Sequence, residues 1–170
     1  MKTSAPSTAT LRQELNQALW QLTAKSTSKT SAQLNEPALV YGSFFQNKAM
    51  LSQAVRNGLP HTIFALIKRF TPFSDSDWAN YLDVSVKTLQ RHREEKSFVF
   101  KSIHSEKILE LAEVAQFGLD VFDNQTQFYD WLQLPSVALA GNTPAELLKD
   151  SFGKELVMAE LTRIEHGAFA

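Results

Sequence analysis

A chain of 170 residues, 44% hydrophobic and 11% aromatic, holds enough apolar side chains for a packed interior, which excludes a wholly disordered polymer or a collagen-like fibre. It has no cysteine, so disulfides, thiolate zinc sites, iron–sulfur clusters and thiol nucleophiles are excluded, and a reducing compartment is the expectation. The net charge of −1 conceals two parts of opposite sign. Residues 1–104 carry 13 Lys/Arg against 7 Asp/Glu, a net of +6, and residues 105–170 carry 4 against 11, a net of −7, so only the first part attracts a polyanion.

Residues 1–10, rich in Ser, Thr and Ala, have little to bury and read as a disordered tail. They lack the apolar core of a signal peptide, and no later stretch approaches the roughly 18–20 apolar residues of a membrane helix. A cytoplasmic protein with no membrane partner is the expectation. Leu11, Leu15, Leu19 and Leu22 then recur at helical spacing, with Trp20 beside them, and predict a short amphipathic helix that docks or self-associates. Residues 25–36 return to polar low complexity and read as a linker before Pro37, so the folded body is placed from about Ala38.

From there the punctuation is helical. An apolar run through Phe44, Phe45, Met50, Leu51, Ala54 and Val55 ends at Asn57-Gly58, and Pro60 restarts the chain. Ile63, Phe64, Leu66, Ile67 and Phe70 give a core-facing helix stopped by Thr71-Pro72. Ser74 with Asp77 three residues later starts the next helix as a capping pair. Ile108, Leu111, Ala112, Ala115, Leu119 and Phe122 predict one long amphipathic helix beginning at Ser102 or Ser105. Asn124 caps a short helix bearing Phe128, Trp131 and Leu132 that Pro135 ends. Thr143-Pro144-Ala145-Glu146 combines N-cap, N1 proline and N3 glutamate, with Leu147 and Leu148 in the same turn. A last helix is placed after Gly153, with Val157, Leu161 and Ile164 on one face, and stops near Gly167. No alternating strand pattern and no internal repeat is visible, and the fold class is all-α.

The segment from Trp78 to Leu89 has the pattern of a helix-turn-helix. Ala79 is the small residue facing the second helix, Asp83 the turn, Val84 and Leu89 the apolar anchors and Ser85 the second helix's cap. The turn position favours glycine because it takes φ > 0, a region Asp tolerates. On this reading Ser85, Val86, Lys87, Gln90 and Arg91 face a major groove: Arg and Lys pair guanine edges, Gln pairs adenine, and Ser at a helix N-terminus holds a phosphate. Arg93, Lys96 and Lys101 are candidates for backbone phosphates. The other reading of the same residues is an αα-hairpin that packs a core and touches no DNA.

From Gly58-Leu59-Pro60 onward the chain resembles bacterial antitoxins of the Xre/MbcA/ParS type. The resemblance is carried by Val84-Ser85-Val86-Lys87-Thr88-Leu89-Gln90-Arg91, the helix around Ile108 to Phe122, and Trp131-Leu132-Gln133-Leu134-Pro135 with Ala138-Leu139-Ala140-Gly141. It continues through Thr143-Pro144-Ala145-Glu146-Leu147-Leu148 and the ending Arg163-Ile164-Glu165-His166-Gly167-Ala168-Phe169-Ala170. Asp83 departs from the family's turn residue, and His92 stands where the family often has a second arginine. The resemblance implies an Xre-like helix-turn-helix bundle followed by a small helical toxin-binding domain, and a type II antitoxin whose partner is a RES-domain toxin, an NAD-consuming enzyme. It also implies that Arg163, Glu165, His166, Gly167, Ala168, Phe169 and Ala170 enter or cover the toxin's cleft. An apolar ending with a terminal carboxylate suits that role, with Phe169 filling a pocket, although a fold-back of Phe169 onto its own core is the plainer alternative.

The organisation expected is a tail with a short helix and linker over 1–36, the helix-turn-helix domain over 37–104 and the toxin-binding domain over 105–170. Operator DNA, repression of its own operon, a homodimer reading two half-sites and a higher-order complex with the toxin are the further expectations. Catalysis by the chain itself is not expected. The four histidines, His61, His92, His104 and His166, show no metal-ligand spacing, and no GxSxG elbow, Walker loop or dinucleotide fingerprint occurs, so neither metal nor cofactor is assigned. Glu110 and Glu113 share a helix face, but acids around an apolar stripe are the ordinary amphipathic pattern. The alternative is a stand-alone helix-turn-helix regulator whose C-terminal helices dimerise or sense a ligand.

Overall fold

The computed structural model describes residues 8–24, 44–95 and 97–167. The linker at 25–36, the start near Ala38, Lys96 and the ending Ala168-Phe169-Ala170 lie outside the described residues, as do residues 1–7 of the tail. Among the described residues there are nine α-helices, one 3₁₀ turn and no strand, as the apolar spacing predicts. The helices are α1 (Thr8–Ala24), α2 (Lys48–Asn57), α3 (His61–Phe70), α4 (Asp75–Tyr81), α5 (Val86–Glu94), α6 (Ser102–Phe122), α7 (Gln125–Gln133), α8 (Pro144–Leu147) and α9 (Ser151–Glu165), with the 3₁₀ turn at Val137–Leu139. No described helix is long and apolar enough to cross a membrane.

The chain forms two compact units that interleave in sequence: Met1–Phe70 with His92–Glu106, and Thr71–Arg91 with Lys107–Ala170. In the first, α1 packs against α3 and α2, which settles docking for this helix. Leu11, Leu15 and Leu19 are buried, and the Arg12 guanidinium lies 5.7 Å over the Phe70 ring. The helix starts at Thr8, so residues 8–10 of the expected tail belong to it. Phe44 and Phe45 are buried but sit in the turn before α2, whose N-terminus is capped by the Asn47 side chain accepting from the Met50 N–H. Gly58 takes φ +77°, and a Cβ there would lie 2.6 Å from the Phe100 carbonyl oxygen. That close approach lets Pro60 and Val99 form an isolated antiparallel bridge, held by His61 N–H to Phe98 O and Phe100 N–H to Leu59 O, both 2.9 Å. Ser105 supports it from within: its hydroxyl accepts from the Leu59 N–H at 2.9 Å and donates within reach of the Phe100 and Lys101 carbonyls.

In the second unit α7 packs on α8, and α9 packs on α8 and the 3₁₀ turn. Phe128 is fully buried, and its ring occupies the space a Cβ at Gly118 would need, so that glycine lets α7 approach α6. Asn124 caps α7 by accepting from the Thr126 and Gln127 N–H groups. Thr143 and Glu146 close a full capping box around α8, which holds the Glu146 carboxyl below its usual range through the Thr143 backbone N–H first and its hydroxyl second. One expectation is corrected: α9 begins at Ser151, and Gly153 lies inside it. Asp150 caps the helix by accepting from the Gly153 N–H at 2.8 Å, and Gly153 is required because the Leu147 backbone carbonyl occupies the space of its missing Cβ.

Candidate functional site

The segment from Trp78 to Leu89 forms the end of α4, a tight turn and the start of α5. Ser74 and Asp77 form the predicted capping box at the start of α4. Trp78, Ala79 and Tyr81 are buried on it, with Phe73 edge-on to Trp78 at 5.6 Å and to Tyr81 at 5.4 Å. Asp83 sits at φ 52°, the left-handed conformation that the turn demands, and the Val84 N–H returns to the Ala79 carbonyl at 3.0 Å. The Ser85 hydroxyl then accepts from the Thr88 N–H at 3.0 Å, the bond of an N-cap. Leu89 is buried and Val84 half-buried, so both anchors face inward.

This leaves the candidate DNA-contacting residues outward. Ser85, Lys87, Gln90, Arg91 and Arg93 are exposed and Val86 is half-buried. Lys87, Gln90 and Arg91 recur at i, i+3 and i+4 on α5 and share one face, and Arg93 stands three residues after Gln90, at its edge. Glu94, at i+7 from Lys87, places an acid at the far end of the same face. His92 points elsewhere: its ring stacks on Phe98 at 3.7 Å and 12° between planes, so the residue in place of the family's second arginine belongs to an aromatic cluster in the first unit. There His92, His61 and His104 surround Phe100 at ring distances of 5.8, 6.3 and 6.4 Å. Burial, then the charges of Lys68, His92 and Arg93, holds the His61 imidazole below its usual value.

The C-terminal candidates gather at the end of α9. Arg163, Glu165, His166 and Gly167 are all exposed. The Arg163 guanidinium donates to Glu160 at 2.8 Å, one turn back along the helix. His166 is the C-cap, and its Nδ1 lies 2.7 Å from the Thr162 carbonyl, an acceptor to which Nδ1 donates. Gly167 at φ 70° donates its N–H to the Ile164 carbonyl at 2.9 Å, the left-handed glycine that ends a helix.

The base of α9 is fixed by polar contacts to α6. Ser151 donates to Glu110 at 2.9 Å, Lys154 pairs with Glu113, and Lys107 pairs with Glu110 at 2.8 Å while reaching the Leu148 carbonyl at 3.4 Å. The two acids that share a helix face therefore position helices. No group of three His, Cys, Asp or Glu residues is arranged to hold a metal among the described residues. The Tyr81 hydroxyl donates to the Ala145 carbonyl at 3.2 Å, which ties α4 to α8 within the second unit. Burial first, then Asp77 and Tyr129, raises that phenol well above its ordinary value, so it remains a donor.

Residues 118–167 match the family model of the antitoxin Xre/MbcA/ParS C-terminal toxin-binding domain. No curated protein matches the chain. The matched segment opens at Gly118, where α7 meets α6, and runs through α7, the 3₁₀ turn, α8 and α9 to Gly167. It thus includes the last exposed turn with Arg163, Glu165, His166 and Gly167, and implies a toxin as partner. The match covers none of α1 to α5.

Two residues of the matched segment escaped sequence reading. Phe152 is 84% exposed and Leu156 54% exposed, on the side of α9 away from Val157 and Leu161. The available signal was their phase, two large apolar residues off the stripe that the spacing of Val157, Leu161 and Ile164 defines.

Proposed function

We propose that the chain is the antitoxin of a type II toxin–antitoxin pair, which neutralises a RES-type NAD-consuming toxin with residues 105–170. The observation that carries this reading is the match of 118–167 to a toxin-binding domain, whose last described turn, with Arg163, Glu165, His166 and Gly167, is exposed. Arg163, Glu165 and His166 supply polar contacts to the toxin's cleft and Phe169 fills an apolar pocket in it. Through Ser85, Val86, Lys87, Gln90, Arg91 and Arg93 the helix-turn-helix binds operator DNA as a homodimer and represses the operon. The organisation into a DNA-binding region over 37–104 and a toxin-binding region over 105–170 is part of the same proposal, as is a cytoplasmic location.

The test is co-expression of the neighbouring gene's product with the full chain and with a chain ending at Glu165, scored by growth and by pull-down. Rescue by the full chain alone identifies the C-terminal residues as the inhibitor. Equal rescue by both places inhibition on the helical body, and no binding by either returns the protein to a stand-alone helix-turn-helix regulator.

A further inference from the structure

Along α9, Phe152, Leu156, Ala159, Arg163 and His166 follow one another at spacings of four, three, four and three, which puts all five on one face. All five are exposed. The opposite face carries Gly153, Val157 and Leu161, which are buried, and Ile164, which is half-buried. The helix cannot roll to hide the apolar pair. Gly153 has no room for even a Cβ against Leu147, Asp150 caps the first turn, and Ser151 and Lys154 are held by Glu110 and Glu113. Among the exposed large apolar side chains of the described residues, which also include Trp20, Val99, Ile103, Leu134 and Val137, only Phe152 and Leu156 stand one turn apart on one helix.

We propose that this face of α9, anchored by Phe152 and Leu156, is a docking surface for the toxin that continues into the C-terminal turn. The inference rests on the antitoxin reading and deepens it. The whole stripe lies within the residues matched to a toxin-binding domain, and it leads without a break to Arg163, His166 and Gly167. From Phe152 to His166 it extends about 21 Å at the helical rise. An apolar centre flanked by Glu155 and the Arg163–Glu160 pair has the layout of an interface core with a polar rim. Anchors at i, i+4 and i+7 suit a helix laid in a groove.

Charge favours the toxin over a second copy of this chain as the occupant. An isologous pair sets the same patch against itself, and residues 105–170 carry a net −7, so self-pairing opposes like charges whereas a basic partner is attracted. The toxin's matching surface is accordingly an apolar groove with a basic rim.

The experiment uses the full chain, the double variant Phe152→Glu/Leu156→Glu, the milder Phe152→Ala/Leu156→Ala and the chain ending at Glu165. The probe is the purified product of the neighbouring gene. Affinity and dissociation rate are measured by biolayer interferometry, with circular dichroism melts and light-scattering masses of each variant alone. The expected result is a loss of about 100-fold for the glutamate pair and about tenfold for the alanine pair, mainly through faster dissociation, with unchanged melting and mass. The alanine pair decides the matter if the glutamate pair unfolds. Undiminished affinity in a folded stripe variant overturns the proposal, and does so most directly if the chain ending at Glu165 has lost binding. A fall in mass of the variants with toxin affinity kept assigns the stripe to copy–copy contact and overturns it equally. Failure of the wild-type chain to bind the probe overturns the antitoxin reading itself, and the docking proposal with it.

Discussion

His61 joins three structural roles in one residue: its N–H donates to Phe98 O, it begins α3, and its ring is edge-on to Phe64 at 5.8 Å. Burial and the neighbouring Lys68, His92 and Arg93 oppose its protonation in the fold, whereas in the unfolded chain it takes up a proton near pH 6.5. A depressed folded value means that the unfolded state binds more protons as pH falls. The stability associated with neutral His61 is therefore intact above about pH 6.5 and declines below it until the pH passes the folded value. Urea midpoints measured from pH 8 to pH 5 should fall on the acid side, and His61→Phe, which keeps an aromatic ring against Phe64 and Phe100, should flatten that fall. An unaltered pH slope in the variant would remove His61 as its source.

At the level of elements, α5 presents a chemically mixed face, and the DNA-binding proposal stands on two of its cations. Lys87 and Arg91 are exposed, so truncating them leaves no buried cavity. Lys87→Ala and Arg91→Ala should each weaken binding to DNA from upstream of the chain's own gene by about 1–3 kcal/mol, with unchanged melting temperature. Fluorescence anisotropy at fixed salt reads the effect, and unaltered binding in the double variant would falsify the recognition-helix assignment. These elements were legible because their determinants are local. Ser74 with Asp77, Thr143 with Glu146, Asn124 with Thr126 and Gln127, and Asp83 at its turn all act within three or four residues, the range over which a capping side chain can reach. What was not legible depends on distant segments. Gly153 read as the boundary before the last helix because its reason for being glycine, the Leu147 carbonyl pressed against it, belongs to a turn whose path no periodicity encodes. His92 read as standing in the place of an arginine, yet the return of the chain to Phe98 makes it a member of an aromatic cluster. Phe152 and Leu156 went unread: their phase sets them off the buried stripe, but their exposure depends on what packs against the helix.

Over the whole molecule, charge follows the compact units even though the units interleave along the chain. The unit built from Met1–Phe70 and His92–Glu106 carries 11 Lys/Arg against 5 Asp/Glu, and that built from Thr71–Arg91 and Lys107–Ala170 carries 6 against 13. The net charges are +6 and −7, as in the two contiguous parts of the sequence. The division itself rests on pairings such as Leu59 with Ser105 and Tyr81 with Ala145, across 46 and 64 residues, which composition does not reveal. Its polarity has a kinetic consequence for the antitoxin reading. A net of −7 on the unit that holds residues 118–167, and with them α4 and Val86–Arg91 of α5, creates a field that extends beyond its contact residues, with a reach set by a Debye length of about 10 Å at 0.1 M salt. Long-range attraction accelerates encounter, whereas dissociation is governed by short-range contacts such as those of Phe152 and Leu156. Stopped-flow association with the neighbouring gene's product should therefore slow by about tenfold or more between 50 mM and 500 mM NaCl, while the dissociation rate changes by less than about twofold. A flat association rate would show that the acidic unit does not steer the partner, and would leave its charge with no role in toxin capture.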